Sequence, residues 1–155
     1  MEGIHRIGVM TAGGDCPGLN AVIRAVAKTA MGSYGWEVMG IEDGFLGLIQ
    51  NRMRLLNNEA VSNILTTGGT ILGTNNRVAP RNYTVKLDGR VETRDVTDRC
   101  LEHIAHNHLD AIVVIGGDGS MSIASDFVRL GINCIGVPKT IDNDLYGTDV
   151  TFGFA

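Results

Sequence analysis

Residues 110–120, DAIVVIGGDGS, decide the fold of this 155-residue chain. An apolar run from Ala111 to Ile115 ends in the glycine-rich sequence GGDGS. A short, continuous apolar run bounded by glycine is typical of a strand buried inside a parallel sheet. A second run, from Cys134 to Val137, ends in the same way at the sequence PKTIDND. The two runs therefore predict parallel strands whose carboxyl ends carry small and acidic residues.

The rest of the chain alternates between strand-like and helix-like segments, joined by short loops such as EDGFLGL. Further strands are predicted at Arg6–Met10, Glu37–Ile41 and Met53–Leu56, and helices at Leu19–Met31, Thr97–Asn107 and Ser120–Leu130. A short helix is predicted to begin at Asn58, which would be its N-cap, and to end before Gly68. This alternation predicts an α/β fold, with a mostly parallel sheet covered by helices on both faces.

One segment departs from that alternation. Tyr83–Leu87 and Arg90–Thr93 flank the dipeptide Asp88-Gly89, which is a strong signal for a β-hairpin. The sequence therefore predicts a hairpin inserted into the α/β domain.

Composition narrows the class of protein. The chain is 44% hydrophobic, which suffices for one globular domain with a core. The net charge of -4, with no basic patch, argues against nucleic acid as the main partner. No signal-peptide core and no apolar stretch long enough to span a bilayer occur, so a soluble cytoplasmic protein is expected.

Two glycine-rich segments follow predicted strands, at the edge where open α/β sheets bind ligands. In TAGGDCPG, residues 11–18, the glycines let the backbone approach a phosphate, and the next helix begins there; a plain turn is the alternative. In GGDGS, Asp118 can serve Mg²⁺, Gly117 and Gly119 leave space for phosphates, and Ser120 can cap the next helix. A tight turn in which Asp118 is a hydrogen-bonding residue is the alternative.

Further polar residues follow the other predicted elements. Asp142 and Asp144 lie two residues apart, so in extended backbone their carboxylates face the same way and can divide the roles of base and metal ligand. An Asn/Asp-rich turn explains them equally well. Arg77, after GGTILGT, carries a guanidinium suited to clamping a phosphoryl group, or is simply solvated.

Histidines and cysteines give weaker indications. His103 and His106 share a face of a predicted helix, which allows either a metal site or ordinary polar residues at a helix C-terminus. The cysteines at 16, 100 and 134 fit neither a zinc pattern nor a disulfide framework, and small buried or half-buried thiols are expected.

Taken together, the motifs resemble the 6-phosphofructokinase family. GVMTAGGDCPGLNAVIR, IEDGFLGL, GGTILGT, VVIGGDGS and PKTIDND occur in that family's order and cover nearly the whole chain. The resemblance implies a Rossmann-like nucleotide domain and ATP-dependent phosphorylation of fructose 6-phosphate to fructose 1,6-bisphosphate, a step of glycolysis. It also implies a requirement for Mg²⁺ and a homo-oligomer, either a tetramer or a dimer.

The resemblance gives roles on the donor side to residues that match two of the motifs. Gly14 would contact the nucleotide phosphates, and Asp118 would serve Mg²⁺. Gly117, Gly119 and Ser120 would hold the triphosphate.

On the acceptor side, the resemblance makes Asp142 the general base that removes the proton from the sugar 1-hydroxyl. Thr140 and Ile141 would position the sugar phosphate beside it. Arg77 would neutralise charge on the transferred phosphoryl group, as phosphoryl transfer requires.

Two residues bear on the phosphoryl donor. Lys139 stands where compact bacterial ATP-dependent members of the family have glycine, in the sequence PGTIDND. Lysine at this position is common in pyrophosphate-dependent relatives. Gly119 stands where pyrophosphate users typically read GGDD, and glycine leaves room for the α-phosphate of a nucleotide. The sequence favours ATP, with pyrophosphate as the alternative.

Family members are about twice as long as this chain, and their second half supplies most of the sugar pocket. Residues 1–155 would therefore be the nucleotide-binding domain without the sugar-binding half, and the chain alone is expected to be inactive. Two other classes stay open: a lipid or NAD kinase with a related GGDG loop, and a non-catalytic nucleotide-binding or interaction domain.

Overall fold

The computed structural model describes residues 3–14, 17–65 and 68–139. Its elements follow one another as β1 (Arg6–Thr11), α1 (Leu19–Tyr34), β2 (Glu37–Ile41), α2 (Phe45–Gln50), β3 (Met53–Leu56), α3 (Asn58–Val61), a 3₁₀ turn (Pro80–Asn82), β4 (Tyr83–Leu87), β5 (Arg90–Arg94), α4 (Thr97–His106), β6 (Ala111–Gly116), α5 (Asp118–Arg129) and β7 (Cys134–Pro138). Within these ranges, every helix is too short or too polar to cross a lipid bilayer.

Five strands form the central sheet, in the order β3-β2-β1-β6-β7. The pairs β1–β2, β1–β6 and β6–β7 are parallel, and only the edge strand β3 runs antiparallel to its neighbour. Strands β4 and β5 form a separate antiparallel hairpin. The predicted mostly parallel α/β sheet and the predicted hairpin are both confirmed.

The connections leave the middle of the sheet in opposite directions. From β1 the chain passes through α1 to β2 on one side, and from β6 it passes through α5 to β7 on the other. Since such crossovers are right-handed, the two helices lie on opposite faces, and their N-termini flank the gap between the carboxyl ends of β1 and β6. Open α/β sheets bind ligands at this kind of switch point.

Side chains of the buried central strands alternate between two cores. In β6, Ala111, Val113 and Ile115 join the core beneath α1 and α3, whereas Ile112 and Val114 join the core beneath α2, α4 and α5. Every residue of β6 is buried, as expected for a strand covered on both faces. This packing fixes the strand ends that carry the glycine-rich turns.

Four local predictions were wrong in detail. Phe45–Gln50 is a helix, although EDGFLGL was predicted to be a loop. The first helix ends at Tyr34, three residues later than predicted, and the third ends at Val61, well before Gly68. The N-cap of α3 is Asn57 and not the predicted Asn58. The Asn57 Oδ1 accepts a hydrogen bond from the Ala60 backbone N–H at 2.8 Å.

A further correction concerns Ser120, which was predicted to cap the helix after GGDGS. The N-cap of α5 is Gly117, and Ser120 lies inside the first turn with a buried side chain. The helix therefore begins at Asp118, directly after the strand, and not two residues later.

Candidate functional site

A cavity of about 590 Å³ opens at the switch point of the sheet. Its walls come from five separate segments: the glycine loop after β1, the start of α2, the loop before the hairpin, the turn between β6 and α5 with the start of that helix, and the residue after β7. The lining residues are Gly13, Gly14, Phe45, Asn75, Asn76, Arg77, Val78, Ala79, Gly117, Gly119, Ser120, Ser122, Ile123 and Lys139. Both glycine-rich segments singled out in the sequence thus border one cavity.

The turn after β6 brings a helix N-terminus to the cavity. A Cβ on Gly116 would lie 2.5 Å from the Cβ of Ser120, so only glycine lets α5 start so close to the strand. The helical hydrogen bonds begin at Met121, whose backbone N–H donates to Gly117 O at 2.9 Å. Within the described ranges the preceding N–H groups of the helix have no backbone partner, so they can bind an anion, and the helix dipole favours a negative charge there.

The glycine loop after β1 is held by bonds to distant segments. The Gly13 N–H donates to Asn75 O at 3.2 Å, and its carbonyl accepts from the Thr74 hydroxyl. Gly13 has φ +84°, a backbone conformation that favours glycine. The backbone of this loop therefore forms one wall of the cavity without side chains.

Lys139 is a buried cation between the two glycine-rich turns. It is 5% exposed, and its ammonium donates to the carbonyl of Gly14. Its backbone N–H donates to Gly116 O at 2.8 Å. A positive charge at this point of the cavity wall attracts phosphate oxygens. The two hydrogen bonds of Lys139 also connect the two turns.

Arg77 enters the cavity from the opposite wall. The Asn75 side chain accepts from the backbone N–H groups of Arg77, at 2.8 Å, and Val78, at 3.0 Å, which fixes the loop. Within the described ranges the guanidinium makes no hydrogen bond or ion pair, and the residue is exposed. It is therefore available to a ligand.

One side of the cavity is apolar. Phe45, at the start of α2, is buried and stacks near Phe127 with ring centroids 6.2 Å apart. Val78, Ala79 and Ile123 complete this wall. The cavity lining thus combines the backbone of the glycine turns with apolar side chains suited to a flat ring.

The structure brings together five of the predicted site residues: Gly14, Arg77, Gly117, Gly119 and Ser120 line the same cavity. Asp118 is the first residue of α5 and is exposed, between two lining glycines. Within the described ranges no group of three acidic, histidine or cysteine residues is arranged to hold a metal ion. The predicted Thr140, Ile141 and Asp142, together with Asp144, lie outside the described residues.

Sequence reasoning missed other parts of this cavity. The sequence indicated only a link between Lys139 and the type of donor, and it indicated no role in the site for Asn75, Phe45 or Ile123. These residues come from four elements, and only the β6–β7 pairing and the position of α2 bring them together. For the apolar lining, the sequence signal was a large apolar residue, Phe45, shortly after the end of β2.

His103 connects two helices, and the described cysteines, Cys100 and Cys134, are buried and half-buried. Nδ1 of His103 donates to the carbonyl of Leu48 at 2.7 Å, which ties α4 to α2. Burial raises the pKa of Cys100 to about 12 and that of Cys134 to about 11, so both are neutral thiols at physiological pH. Cys16 lies outside the described residues.

Comparisons with known proteins agree with this geometry. The family model described as Phosphofructokinase matches residues 6–155. ATP-dependent 6-phosphofructokinase 2 of Clostridium perfringens is 52% identical over 155 residues, which cover 99% of this chain and 42% of that protein. ATP-dependent 6-phosphofructokinase 3 of Bacteroides thetaiotaomicron is 46% identical over 96% of this chain and 43% of its own length. This chain therefore spans less than half the length of these relatives.

Two solved structures show the same architecture. Phosphofructokinase from Pichia pastoris in the T-state superimposes with a TM-score of 0.80 at 32% identity, over 99% of this chain and 17% of that one. A pyrophosphate-dependent phosphofructokinase from Nitrosospira multiformis superimposes with a TM-score of 0.78 at 21% identity, over 96% of this chain and 37% of its own. At that identity the second likeness concerns the fold alone.

Proposed function

Because this chain belongs to the phosphofructokinase family, we propose that it supplies the nucleotide-binding part of an ATP-dependent 6-phosphofructokinase. The complete activity would transfer the γ-phosphoryl group of ATP to the 1-hydroxyl of fructose 6-phosphate and yield fructose 1,6-bisphosphate. The observation that carries this proposal is one cavity at the switch point, bordered by two glycine-rich turns, a helix N-terminus and a buried lysine.

The cavity lining has the two kinds of surface that a nucleoside triphosphate needs. The triphosphate would lie along Gly14, Gly117, Gly119 and Ser120, where backbone N–H groups and Lys139 offset its charge. The base would lie against the apolar wall that includes Phe45 and Ile123. Arg77, whose guanidinium is available, would stabilise charge on the phosphoryl group as it moves.

The residues present fit a magnesium ion bound with the nucleotide. Mg²⁺ usually takes one or two carboxylates and several phosphate oxygens and waters, so a single exposed carboxylate beside a phosphate cradle suffices. Asp118 has this position, and its carboxylate makes no hydrogen bond or ion pair within the described ranges. The ion would neutralise charge on the transferred phosphate.

The acceptor half of the reaction rests on residues after β7. Asp142 would accept the proton of the sugar 1-hydroxyl, while Thr140 and Ile141 would position the sugar phosphate. Support for these roles comes from the PKTIDND motif and from β7, which ends at Pro138 beside the cavity.

Pyrophosphate is the second candidate donor, favoured by Lys139. ATP is preferred because glycine at position 119 carries no side chain, which would leave room for the α-phosphate of a nucleotide. The names of the Clostridium and Bacteroides relatives also support ATP. For the complete enzyme we further propose a cytoplasmic location and a homo-oligomeric state.

A substitution at Gly119 tests the donor. Gly119→Asp places a carboxylate in open space, so the protein should fold normally, while charge repulsion should lower kcat/KM for ATP by on the order of a hundredfold. Use of pyrophosphate should be better preserved. Gly119→Asn, equal in size but neutral, is the matched control and should retain more ATP activity. The assay requires a polypeptide that spans the full length of the relatives. A wild-type enzyme that prefers pyrophosphate would contradict the ATP assignment.

A further inference from the structure

Arg77 belongs to an irregular segment that must be held by other elements. Residues 68–79, between α3 and the 3₁₀ turn, contain no helix or strand. Their backbone polar groups therefore find no partners in a regular hydrogen-bond ladder and depend on side chains and on other elements. Two buried polar side chains contact this segment: Thr11, the last residue of β1, and Asn20, in the first turn of α1.

The Thr11 hydroxyl is the centre of a directed chain of hydrogen bonds. Thr11 is fully buried, and its hydroxyl oxygen lies 2.8 Å from Gly73 O and 2.9 Å from the Thr70 hydroxyl oxygen. A carbonyl oxygen can only accept, so Thr11 donates its one hydroxyl proton to Gly73 and accepts from Thr70. The Thr70 oxygen in turn accepts from the Leu72 backbone N–H at 3.2 Å. Each of the two hydroxyls thus both donates and accepts, which fixes the turn of residues 70–73 against the end of β1.

Asn20 holds the same turn from the side of α1. Its Oδ1 accepts from the Ile71 backbone N–H at 2.7 Å, and its Nδ2 donates to Gly68 O at 3.4 Å. Asn20 is 1% exposed, and a buried amide that lost these partners would be costly, so the contacts are strongly favoured. The two side chains therefore hold residues 68–73 from two different elements.

From this anchored turn the chain reaches Arg77 through two further tethered residues. The Thr74 hydroxyl donates to Gly13 O, and Asn75 O accepts from the Gly13 N–H at 3.2 Å. The Asn75 side chain then accepts from the Arg77 backbone N–H at 2.8 Å. Since the Arg77 guanidinium makes no hydrogen bond or ion pair within the described ranges, the backbone of this segment decides where the charge lies.

The strand itself does not require a hydroxyl at position 11. The neighbouring residues of β1, Val9 and Met10, are apolar and fully buried, and valine has the same branched shape as threonine. We propose that Thr11 is a positioning residue for phosphoryl transfer, whose hydroxyl holds the 70–73 turn and thereby places the Arg77 guanidinium beside the phosphoryl group that moves. This role of Thr11 rests on the proposed function, in which Arg77 stabilises the transferred group; a small displacement of such a charge lowers turnover steeply.

Steady-state kinetics of an enzyme of the relatives' length tests this role. Thr11→Val keeps the branched shape and removes the hydroxyl, and it should lower kcat by on the order of ten- to a hundredfold. The KM for ATP should change little, because Arg77 is proposed to act on the phosphoryl group in transit. Thr11→Ser, which keeps the hydroxyl, should retain most of the turnover. Thr29→Val, which removes an exposed hydroxyl from α1, should leave kcat unchanged.

A double substitution separates positioning from a general loss of packing. In an Arg77→Ala background, Thr11→Val should change kcat by less than about twofold, because the group that Thr11 positions is gone. An equal loss of turnover in both backgrounds would overturn the proposal, as would an unchanged kcat in Thr11→Val alone. Thr70→Val, at a half-buried position, removes the bond that Thr11 accepts and should lower kcat in the same way; it decides the question if Thr11→Val fails to fold.

Limited trypsin digestion gives a readout that does not depend on enzymatic activity. Trypsin cleaves after arginine, and cleavage of a folded protein requires the segment to open locally. The bond after Arg77 should be cut faster in Thr11→Val than in wild type, whereas the bond after Arg90, in the hairpin, should be cut at an unchanged rate, as mass spectrometry of the fragments shows.

The two readouts distinguish the possible failures. A wild-type enzyme that does not phosphorylate fructose 6-phosphate would contradict the proposed function, and faster cleavage after Arg77 in Thr11→Val would still show that Thr11 holds this segment. Equal cleavage after Arg77 in the two proteins would overturn the positioning role itself.

Discussion

The tripeptide Gly-Gly-Asp occurs twice in this chain, each time after a buried parallel strand, and the two copies fold differently. After β6, Gly116 ends the strand and α5 begins two residues later, at Asp118. After β1, Gly13 follows Thr11 closely, but α1 begins only at Leu19. The copy after β6 is a helix N-terminus, whereas Gly13 and Gly14 of the copy after β1 lie outside any helix.

Their supports differ as well. The β6 turn is fixed by the close approach of Gly116 to Ser120 four residues later, and by a hydrogen bond from the Lys139 backbone N–H to Gly116 O. The β1 loop is fixed by polar contacts to Thr74, Asn75 and Lys139, far away in the sequence. The same sequence pattern can thus border the same cavity with free N–H groups in one case and with a tethered backbone in the other. The proposed donor site would use both turns, and the proposed general base, Asp142, belongs to neither copy.

The largest effect is therefore expected outside both turns. Asp142→Asn, in an enzyme of the relatives' length, should lower turnover by roughly a hundred- to ten-thousandfold, because an amide cannot accept the hydroxyl proton. Affinity for ATP should stay the same, since both glycine turns are intact. Steady-state kinetics together with nucleotide binding measure the two quantities. Asp144→Asn is the matched control; if it has the larger effect on turnover, the base is the other carboxylate.

The carboxylate of the second Gly-Gly-Asp should matter next. Asp118→Ala removes the proposed magnesium ligand and should lower turnover by on the order of a hundredfold or more, with a shifted dependence on Mg²⁺ concentration. The fold should persist, because Asp118 is exposed. Asp98→Ala, in the first turn of α4 and outside the cavity, removes a carboxylate from the same kind of helix position and should leave turnover unchanged. Equal Mg²⁺ dependence in wild type and Asp118→Ala would exclude the metal role.

The smallest effects are expected for substitutions of one glycine in each Gly-Gly-Asp tripeptide. Gly116→Ala introduces a Cβ 2.5 Å from Ser120 Cβ and 3.2 Å from Ala12 O, and the crowding should cost about 1–3 kcal/mol of unfolding free energy. Gly14→Ala meets nothing within 4 Å and should change stability by less than about 0.5 kcal/mol. Urea unfolding followed by circular dichroism gives both values. If the two variants are equally stable, local packing is not what distinguishes the two turns.

Much of this architecture could be predicted from the sequence, because it rests on continuous patterns. The apolar runs of β1, β6 and β7 and the Asp-Gly hairpin are local signals, and each lies where it was expected. The residues after those strands were also expected at one edge of a sheet, and Gly14, Gly117 and Ser120 do meet at one cavity.

The remaining features depend on contacts that no local pattern contains. Helix α2 has only six residues, too few for a repeating helical pattern to be visible in the sequence, and glycine, as at Gly47, is typical of turns. In the fold a Cβ on Gly47 would overlap the carbonyl oxygen of Glu42, so this glycine serves close packing. Asn57 and Asn58 are chemically identical capping candidates, and only the backbone conformation decides between them. Lys139 reaches the cavity solely because β7 pairs with β6.

The contact between Lys139 and Gly14 also sets an order of events during synthesis. The two residues are 125 positions apart, and β1 itself must wait for β6 before it has a neighbour on that side. A ribosome completes the first glycine loop early, but the residue that anchors this loop emerges 125 positions later. Contacts of such long separation form slowly, since the intervening segment must first be closed into a loop. The nascent chain should therefore complete the cavity wall only after β6, α5 and β7 have joined the sheet.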